Sequence, residues 1–247
     1  MVASFPAPQT PPDGLQSALH VRGYAVLAPA AVAALAGLQL DALMALLPSW
    51  DDLRQDMYLK DGGNYRKRRH SCFVAEGGML HQAPHRMHWQ SEDYNALHGG
   101  MERWFEPIEP AVASSEAWST LLLALADVCS ARRPVPRWFI EAHQFRIDTR
   151  DGIGRPTPEG AHRDGVDFVA VFLMARHAIK GGETRVFEAS GPDGQRFTLT
   201  EPWSLLLLDD ARMIHESTPI QPLDDYGWRD TLVLTFRANR FQGDEAT

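Results

Sequence analysis

The sequence predicts a mainly β, α+β fold in which N-terminal helices pack on one sheet of a sandwich or jelly roll. Patterns typical of helices crowd the first half of the 247-residue chain, and short apolar or alternating segments separated by Gly and Pro turns fill the second half. Helical and strand patterns do not alternate along the chain, which argues against the βαβ units of a Rossmann or TIM architecture.

In the first half, apolar spacing predicts helices over residues 15–21, 29–47, 94–105 and 110–131, and a strand over residues 23–27. Pro29 suits the first turn of its helix, and Gly23 suits the turn before the strand. Residues 65–70 form a basic cluster in an acidic protein. This cluster is either a solvated face or flexible loop, or a loop that presents arginine to a substrate carboxylate.

In the second half, strand formers bounded by Gly and Pro turns predict strands over residues 138–147, 166–174, 184–187, 196–199, 204–208, 214–217 and 231–236. The segment 204–208 is almost entirely apolar, as expected of a strand that is buried on both faces. Gly181 and Gly182 are read as a turn, and residues 192–194 as a hairpin turn.

The composition excludes several classes of protein. The hydrophobic fraction of 44% and the charged fraction of 23% are ordinary globular values. A net charge of −8 disfavours a nucleic-acid partner, and no apolar run reaches the roughly 18 residues that predict a membrane span. Cys72 and Cys129 fit neither a zinc spacing nor a disulfide framework, so we expect reduced thiols and a cytoplasmic location.

No internal repeat or linker divides the chain. The Pro-rich residues 1–14 predict a disordered lead-in, and residues 15–240 predict a single domain. We expect a small molecule as the partner of this domain, with no nucleic acid and no membrane. Whether the protein forms a homodimer is left open.

The segment 160–168 carries the main functional signal, because His162 and Asp164 are two residues apart between a Gly/Pro loop and an apolar run. On an extended backbone both side chains point to the same side and can bind one metal ion. His215 is the best candidate for a third ligand. Two imidazoles and one carboxylate form the facial triad of non-heme Fe(II) oxygenases, which leaves positions open for a cosubstrate and oxygen.

Arg229 and Thr231 follow His215 and would share one face of a strand. A dicarboxylic keto acid can chelate a metal through its keto and adjacent carboxylate groups, and its far carboxylate then needs a fixed cation. Arginine with a neighbouring hydroxyl can supply that clamp through charge-assisted hydrogen bonds. The alternative for Arg229 is a surface ion pair with Asp224 or Asp225.

A competing cluster, His81, His85 and His88, has the spacing of one helix face. Pro84 argues against that helix, and no glutamate follows the first histidine as it does in zinc proteases. We therefore do not place the metal there.

The pattern formed by the 162/164/215 triad and by Arg229 and Thr231 resembles the Fe(II)/2-oxoglutarate-dependent dioxygenases. Residues 143–147, 162–168, 181–184 and 215–220 resemble the bacterial branch that includes L-isoleucine dioxygenase, whose members hydroxylate free aliphatic amino acids. The resemblance covers about residues 23–236. It implies a double-stranded β-helix of the cupin type, with His162, Asp164 and His215 as the metal ligands and catalytic centre, and with Fe(II), 2-oxoglutarate and O2 as cofactor and cosubstrates.

The same resemblance implies hydroxylation of an aliphatic carbon of a free L-amino acid or a small derivative, with succinate and CO2 as co-products. Gln144 is a further candidate for contact with 2-oxoglutarate, or else makes a cross-strand hydrogen bond. The candidates for substrate binding are Tyr65, Arg66, Arg68, Arg69, Arg146 and Asp167. Arg146 could instead pair with Asp148, and Asp167 could instead cap a loop.

Three other functions stay open from the sequence. The same chemistry could act on a different secondary metabolite or on a carrier-bound substrate. A metal-binding jelly roll could serve as a sensor or structural module without catalysis, although such a module needs no second anchor such as Arg229. A zinc hydrolase would need a general base that the sequence does not identify.

Overall fold

The computed structural model describes residues 5–244, and within them it has five α-helices and thirteen β-strands. The helices are α1 (Leu15–Arg22), α2 (Pro29–Ala36), α3 (Leu40–Met44), α4 (Pro110–Ala113) and α5 (Glu116–Arg132), with short 3-10 helices at Pro12–Gly14 and Leu47–Asp52. The strands are β1 (Tyr24–Leu27), β2 (Arg54–Gln55), β3 (Arg66–Glu76), β4 (Met79–Gln82), β5 (Arg137–Asp148), β6 (Phe168–His177), β7 (Ile179–Gly181), β8 (Thr184–Glu188), β9 (Gly194–Phe197), β10 (Leu205–Asp209), β11 (Met213–Ser217), β12 (Ile220–Pro222) and β13 (Trp228–Arg237).

All paired strands run antiparallel, in three sheets. The eight-stranded main sheet has the order β1-β10-β6-β13-β5-β3-β2, with β4 added to β3. A three-stranded sheet has the order β11-β8-β9, and β12 pairs with β7. The expected mainly β, α+β fold with antiparallel sheets is therefore confirmed.

The helices cover one face of the main sheet. Ser115 caps the N-terminus of helix α5, since its hydroxyl accepts a hydrogen bond from the backbone N–H of Trp118 at 3.3 Å. Its apolar side, including the buried Leu121 and Leu125, joins one core cluster with alternate residues of the central strands, such as Leu234. Burial of these side chains fixes which face of each central strand is left for a site.

The opposite face of the main sheet meets the three-stranded sheet near β10. Leu206 and Leu208 pack with Val186 and Phe197 in a second core cluster, whereas Leu205 lies in the helix-side core. The prediction that residues 204–208 are buried on both faces is confirmed. Towards β3, β5 and β13 this face carries polar side chains instead, and there it lines a cavity.

Four local predictions from the first half of the chain need correction. The helix over 29–47 ends at Gly37, which takes a left-handed φ of 64°, and resumes at α3. The helix over 110–131 is likewise interrupted, between α4 and α5. No helix forms over 94–105, where Gly100 has a φ of 70° and the Asn95 side chain accepts the His98 N–H. The basic cluster is neither solvated nor a loop, because it begins strand β3 and Arg66 is buried against Asp56.

The N-terminal segment was predicted to be a disordered lead-in over residues 1–14, of which residues 1–4 lie outside the described part. Pro6 forms a bridge with Thr198, and Thr10 is buried and donates its backbone N–H to Val26 at 2.7 Å. The segment 5–14 is therefore tied to Thr198, just after β9, and to β1 of the main sheet. The domain division itself stays a prediction. Within residues 5–244 no single helix has the length and apolar character needed to cross a membrane, although one bent helix pair passes that test.

Candidate metal centre and active-site cavity

A cavity of about 120 Å³ opens on the face of the main sheet that the helices leave uncovered. Strand alternation determines which side chains reach it. Arg229 lies opposite Ile147, and Thr231 lies opposite Phe145 in the register of β13 with β5. All four line the cavity, as do Arg66 and Arg68 in the next strand, where they pair with Ile147 and Phe145. Each line of paired residues across the sheet, such as Arg229, Ile147 and Arg66, thus takes one side chain from each of β13, β5 and β3.

His162, Asp164 and His215 converge at one end of this cavity. Asp164 Oδ1 lies 3.7 Å from His162 Nε2, and Asp164 Oδ2 lies 3.7 Å from His215 Nε2. The backbones of the two histidines also pair, with N–H···O distances of 3.1 and 2.9 Å. This isolated bridge joins the loop before β6 to β11, and it explains how ligands so distant in sequence meet.

The tautomer of His162 suits a metal ligand. Its Nδ1 lies 2.9 Å from the Gly160 carbonyl oxygen, so Nδ1 carries a proton and Nε2 is the atom that can bind a metal once its own proton is released. Burial lowers the pKa of His215 to about 4, so that imidazole is neutral at pH 7. Burial by itself also lowers the pKa of His162, but the carboxylate of Asp164 outweighs it and raises the pKa to about 10.

Two side chains hold Asp164 in place. Asp210 is buried and its carboxylate accepts hydrogen bonds from the backbone N–H groups of Asp164, Gly165 and Val166 at 2.9, 2.8 and 3.0 Å. These three bonds fix the loop that carries Asp164. Gln90 donates its side-chain amide to Asp164 Oδ1 at 3.1 Å. Burial and the charge of Asp164 raise the pKa of Asp210 to about 7.

The distances in the triad fit a shared ion. Two atoms that both bind one metal at about 2.1 Å lie at most about 4.2 Å apart. The 3.7 Å separations satisfy this limit, yet they are too long for direct hydrogen bonds. Two neutral imidazole nitrogens and a carboxylate are also the donors that Fe(II) takes in facial-triad sites. The residues present therefore fit an iron ion held by His162, Asp164 and His215.

A second group of potential metal ligands, His70, His88, Glu141 and His143, is buried, and His88 and His143 of this group also line the cavity. One oxygen of Glu141 lies 3.0 Å from His70 Nε2 and 2.8 Å from His88 Nδ1, which are hydrogen-bond distances. Arg68 NH2 lies 2.6 Å from His143 Nδ1. Guanidinium only donates, so the proton of neutral His143 is on Nε2, which makes that atom a poor ligand.

Burial lowers the pKa values of all three of these histidines, so they are neutral around one carboxylate. We interpret the group as a hydrogen-bonded hub, which we call the Glu141 hub, and not as a second metal site. His81 is exposed on β4, and His85 contacts the Phe105 carbonyl oxygen at 2.8 Å. The histidines at 81, 85 and 88 therefore do not form one cluster.

Arg229 and Thr231 lie on the cavity wall, as the sequence suggested. The Nε and NH2 atoms of Arg229 are buried and have no hydrogen-bond partner within residues 5–244. Burial, together with the nearby Arg176, lowers the pKa of the Arg229 guanidinium to about 9. The surface ion pair with Asp224 or Asp225 is not formed. A buried guanidinium with free donors in a cavity is suited to bind an anion.

The other end of the cavity is lined by Arg66, Arg68 and Arg103. Arg66 Nε bonds to the buried Asp56 at 2.7 Å. Arg68 lies between two aromatic rings, with its guanidinium carbon 3.8 Å from the ring centre of Phe105 and 4.5 Å from that of Phe145. This end therefore presents fixed guanidinium groups, of which the sequence predicted Arg66 and Arg68.

Several other predicted site residues do not line the cavity, because they occupy the alternate positions of their strands or bind elsewhere. Gln144 donates to Ser49 Oγ at 2.8 Å on the helix side. Arg146 pairs with Asp230 at 2.8 and 2.7 Å, and not with Asp148. The structure therefore gives neither residue the expected contact with cosubstrate or substrate.

Three further candidates also find partners away from the cavity. The Tyr65 hydroxyl donates to Asp61 at 2.7 Å. Asp167 forms an ion pair with Arg133 and accepts the Ala238 N–H at 2.8 Å, which is the capping role considered as its alternative. Arg69 bonds to Asp52 at 2.9 Å. Their expected roles in substrate binding are not supported by these contacts.

The sequence did not indicate the cavity residues of the segment 88–103, which are His88, Gln90, Asn95 and Arg103, nor Glu159 in the loop before His162. Asn95 and Arg103 lie where a helix was predicted, and His88 lies where a metal site was rejected. The signal that could have found Glu159 is its position three residues before His162. Asp210 could have been suspected from its place directly after a buried apolar strand.

Comparison with known proteins gives one family and several similar structures. The family model described as 2OG-Fe dioxygenase matches residues 47–235. The crystal structure of a bsmA homolog from Methylobium petroleophilum is 51% identical, covers 98% of this chain and 99% of its own, and has a TM-score of 0.91. No curated protein matches the chain.

Two more distant structures share the fold. IDO from Bacillus thuringiensis is 17% identical with a TM-score of 0.73, covering 93% of this chain and 100% of that one. The Fe(II)/α-ketoglutarate-dependent dioxygenase TqaL is 18% identical with a TM-score of 0.71, covering 94% and 89%. At these identities the likeness extends to the fold alone.

Proposed function

Because the chain belongs to the 2OG-Fe dioxygenase family, we propose that it hydroxylates an aliphatic carbon of a free L-amino acid or a small amino-acid derivative. Succinate and CO2 are the co-products. In this proposal His162, Asp164 and His215 bind Fe(II), and the barrel around them is a double-stranded β-helix. The bound Fe(II) and 2-oxoglutarate supply the oxygen chemistry that no protein side chain can provide.

The observation that carries the proposal is that one cavity holds two separate sets of anion-binding groups beside the triad. Arg229 and Thr231 lie on β13, where they suit the far carboxylate of 2-oxoglutarate. Arg66 and Arg68 lie on β3, where a second anionic ligand can bind. A metal-binding sensor or structural module needs neither set.

The size of the cavity supports a small substrate. Its volume of about 120 Å³ is below the several hundred Å³ of pockets for drug-sized ligands. Val171 and Val233 supply apolar wall, and the Thr235 side chain lies beside them. An aliphatic side chain can lie against this wall while its polar end meets the arginines. The carrier-bound alternative would require the cavity mouth to admit a tethered group.

The test is substrate-dependent succinate formation with a panel of free L-amino acids. We expect turnover with at least one member of the panel and its loss in His162→Ala and in His215→Ala. His81→Ala is a matched control, because this histidine is exposed on β4 and should retain full turnover. Turnover that survives in both triad variants contradicts the proposed metal site. Turnover only with a carrier-bound substrate favours the alternative.

A further inference from the structure

Resting on the proposed function, we infer that the cavity selects a zwitterion, with Arg68 and Arg103 binding the substrate carboxylate and Glu159 binding its ammonium group. Arg103 and Glu159 were not among the residues that the sequence suggested. Both subsites follow from the charged side chains of the cavity wall that have no ion-pair partner of their own among the described residues.

The carboxylate subsite is identified by buried donors that have no partner. Arg66 NH2, Arg68 Nε and Arg103 Nε are all buried without a hydrogen-bond acceptor within the described residues. Arg66 already pairs with Asp56, which also lies 3.8 Å from Arg68. Arg103 NH2 donates only to a neutral group, the Gln90 side-chain oxygen, at 3.1 Å. Buried guanidinium groups in this state favour a bound anion.

The ammonium subsite is identified by the carboxylates of the cavity wall, which are Asp164 and Glu159. In the proposed function Asp164 binds the metal and is not available for an ammonium group. Glu159 is mostly buried, and its Oε1 lies 3.5 Å from His162 Nε2. Since Nε2 of His162 serves the metal in the loaded protein, Glu159 is then left without a cation. An ammonium group placed beside it would restore the pairing.

The balance of charge distinguishes a zwitterion from a simple anion or amine. Among the charges near the metal, those of Fe(II), 2-oxoglutarate, Asp164 and Arg229 cancel. Arg176 and Asp210 also act on these groups, but they do not line the cavity and are hydrogen-bonded to backbone groups. Glu159 is then the negative charge of the cavity wall that has no partner of its own among the described residues. At the other end, the three arginines face two buried carboxylates, Asp56 and Glu141, so that one positive charge remains. One unpaired charge of each sign matches one carboxylate and one ammonium.

The two subsites lie in the same cavity of about 120 Å³. Glu159 acts electrostatically on the pKa of Arg103, although the two do not approach within 4.0 Å as an ion pair among the described residues. A small group can therefore lie between them. The carboxylate and ammonium of an α-amino acid are carried on one carbon atom, so they can reach both subsites at once. Burial lowers the pKa of Arg103 to about 10, consistent with a guanidinium that lacks a full counter-charge.

The test is anaerobic titration of the Fe(II)·2-oxoglutarate protein, followed by its visible absorption and by calorimetry. The probes are L-isoleucine and L-leucine, with 3-methylpentanoate and 2-methylbutylamine as the analogues of isoleucine that lack the ammonium and the carboxylate. We expect a zwitterion to bind at least about tenfold more tightly than its analogues, as the loss of one charge-assisted hydrogen bond requires. Equal binding of 3-methylpentanoate and isoleucine overturns the ammonium subsite. Binding of neither amino acid to a protein that forms the Fe(II)·2-oxoglutarate complex also overturns the inference.

Variants separate recognition from folding. Glu159→Gln should weaken the binding of the amino acid by at least about tenfold and leave the binding of 3-methylpentanoate unchanged. Arg103→Gln should weaken both and leave 2-methylbutylamine unchanged. Glu201→Gln, at an exposed glutamate, is the matched control. An equal loss for all probes in Glu159→Gln indicates a structural role and overturns the assignment. Failure of the proposed function is recognised separately, because the Fe(II)·2-oxoglutarate absorption itself is then absent.

Discussion

Replacing Arg229 by glutamine should weaken the binding of 2-oxoglutarate and leave the ligand-free protein as stable as before or more stable. The reason is that the Arg229 guanidinium is buried with two unpartnered nitrogen atoms in the described structure. Such a group serves the ligand and not the fold. Glutamine keeps the first part of the side chain but removes the charge.

The magnitude follows from the pKa of the buried guanidinium. A fall from 12.5 to about 9 corresponds to roughly 5 kcal/mol of unfavourable charge burial, at about 1.4 kcal/mol for each pH unit. Glutamine removes this penalty, but the smaller side chain leaves space that takes back a few kcal/mol. The lost charge-assisted contact should cost the ligand about 2–5 kcal/mol, or roughly 30-fold to 4,000-fold in affinity at about 1.4 kcal/mol for each factor of ten.

Two measurements check this prediction. Calorimetric titration of the Fe(II) protein gives the affinity for 2-oxoglutarate, and thermal unfolding of the ligand-free protein gives the stability. The matched control is Arg54→Gln, at an exposed arginine that pairs with the exposed Asp52 and should alter neither quantity much. Unchanged 2-oxoglutarate affinity in Arg229→Gln, or a melting temperature lower by more than about 5 °C, would refute the reasoning.

Three further predictions concern the triad and its surroundings. In the metal-free protein the pKa of His162 is about 10, so metal binding must release a proton from this imidazole. The affinity for Co(II) should therefore rise about tenfold per pH unit between about pH 6 and 8.5. An affinity that does not change with pH contradicts this prediction. Asp210→Ala removes the acceptor of three partly buried N–H groups. It should lower stability by about 3 kcal/mol in urea unfolding and weaken Co(II) binding, whereas Asp193→Ala at an exposed aspartate should do neither. Glu141→Gln should lower stability by about 1–3 kcal/mol, because Glu141 bonds to His70 and His88, while the protein still binds one Co(II) per chain. If the wild-type protein binds a second Co(II) ion tightly, the Glu141 hub is a metal site.

The sequence was most informative where chemistry and strand period coincide. The spacing of two residues places His162 with Asp164, and Arg229 with Thr231, on one face of an extended segment. His215 adds a third potential metal ligand from a later segment. The structure brings these five side chains to one cavity. The apolar segment 204–208 was equally readable, since no polar position interrupts it.

Predictions from the sequence were wrong where the partner of a residue lies outside its own segment of the chain. The basic cluster resembled a solvated loop, because Asp56, which pairs with Arg66, lies outside the cluster. The segment 94–105 resembled a helix, but its Asn95 and Arg103 side chains both donate to the Gln90 side chain on the cavity wall. Glu141 gave no signal, since its partners His70 and His88 come from other parts of the chain.

The sequence by itself determined the residue types of the metal site, the two-residue spacing that aligns them, and the division into helical and strand halves. Only the tertiary structure decided which of the two alternating faces of β3 and β5 meets the cavity, and so why Arg68 lines it whereas Gln144 and Arg146 do not. The physical reason is that a period of two defines two equivalent sets of side chains. The packing of α5 and its neighbours on one face then determines which set is left for the ligand.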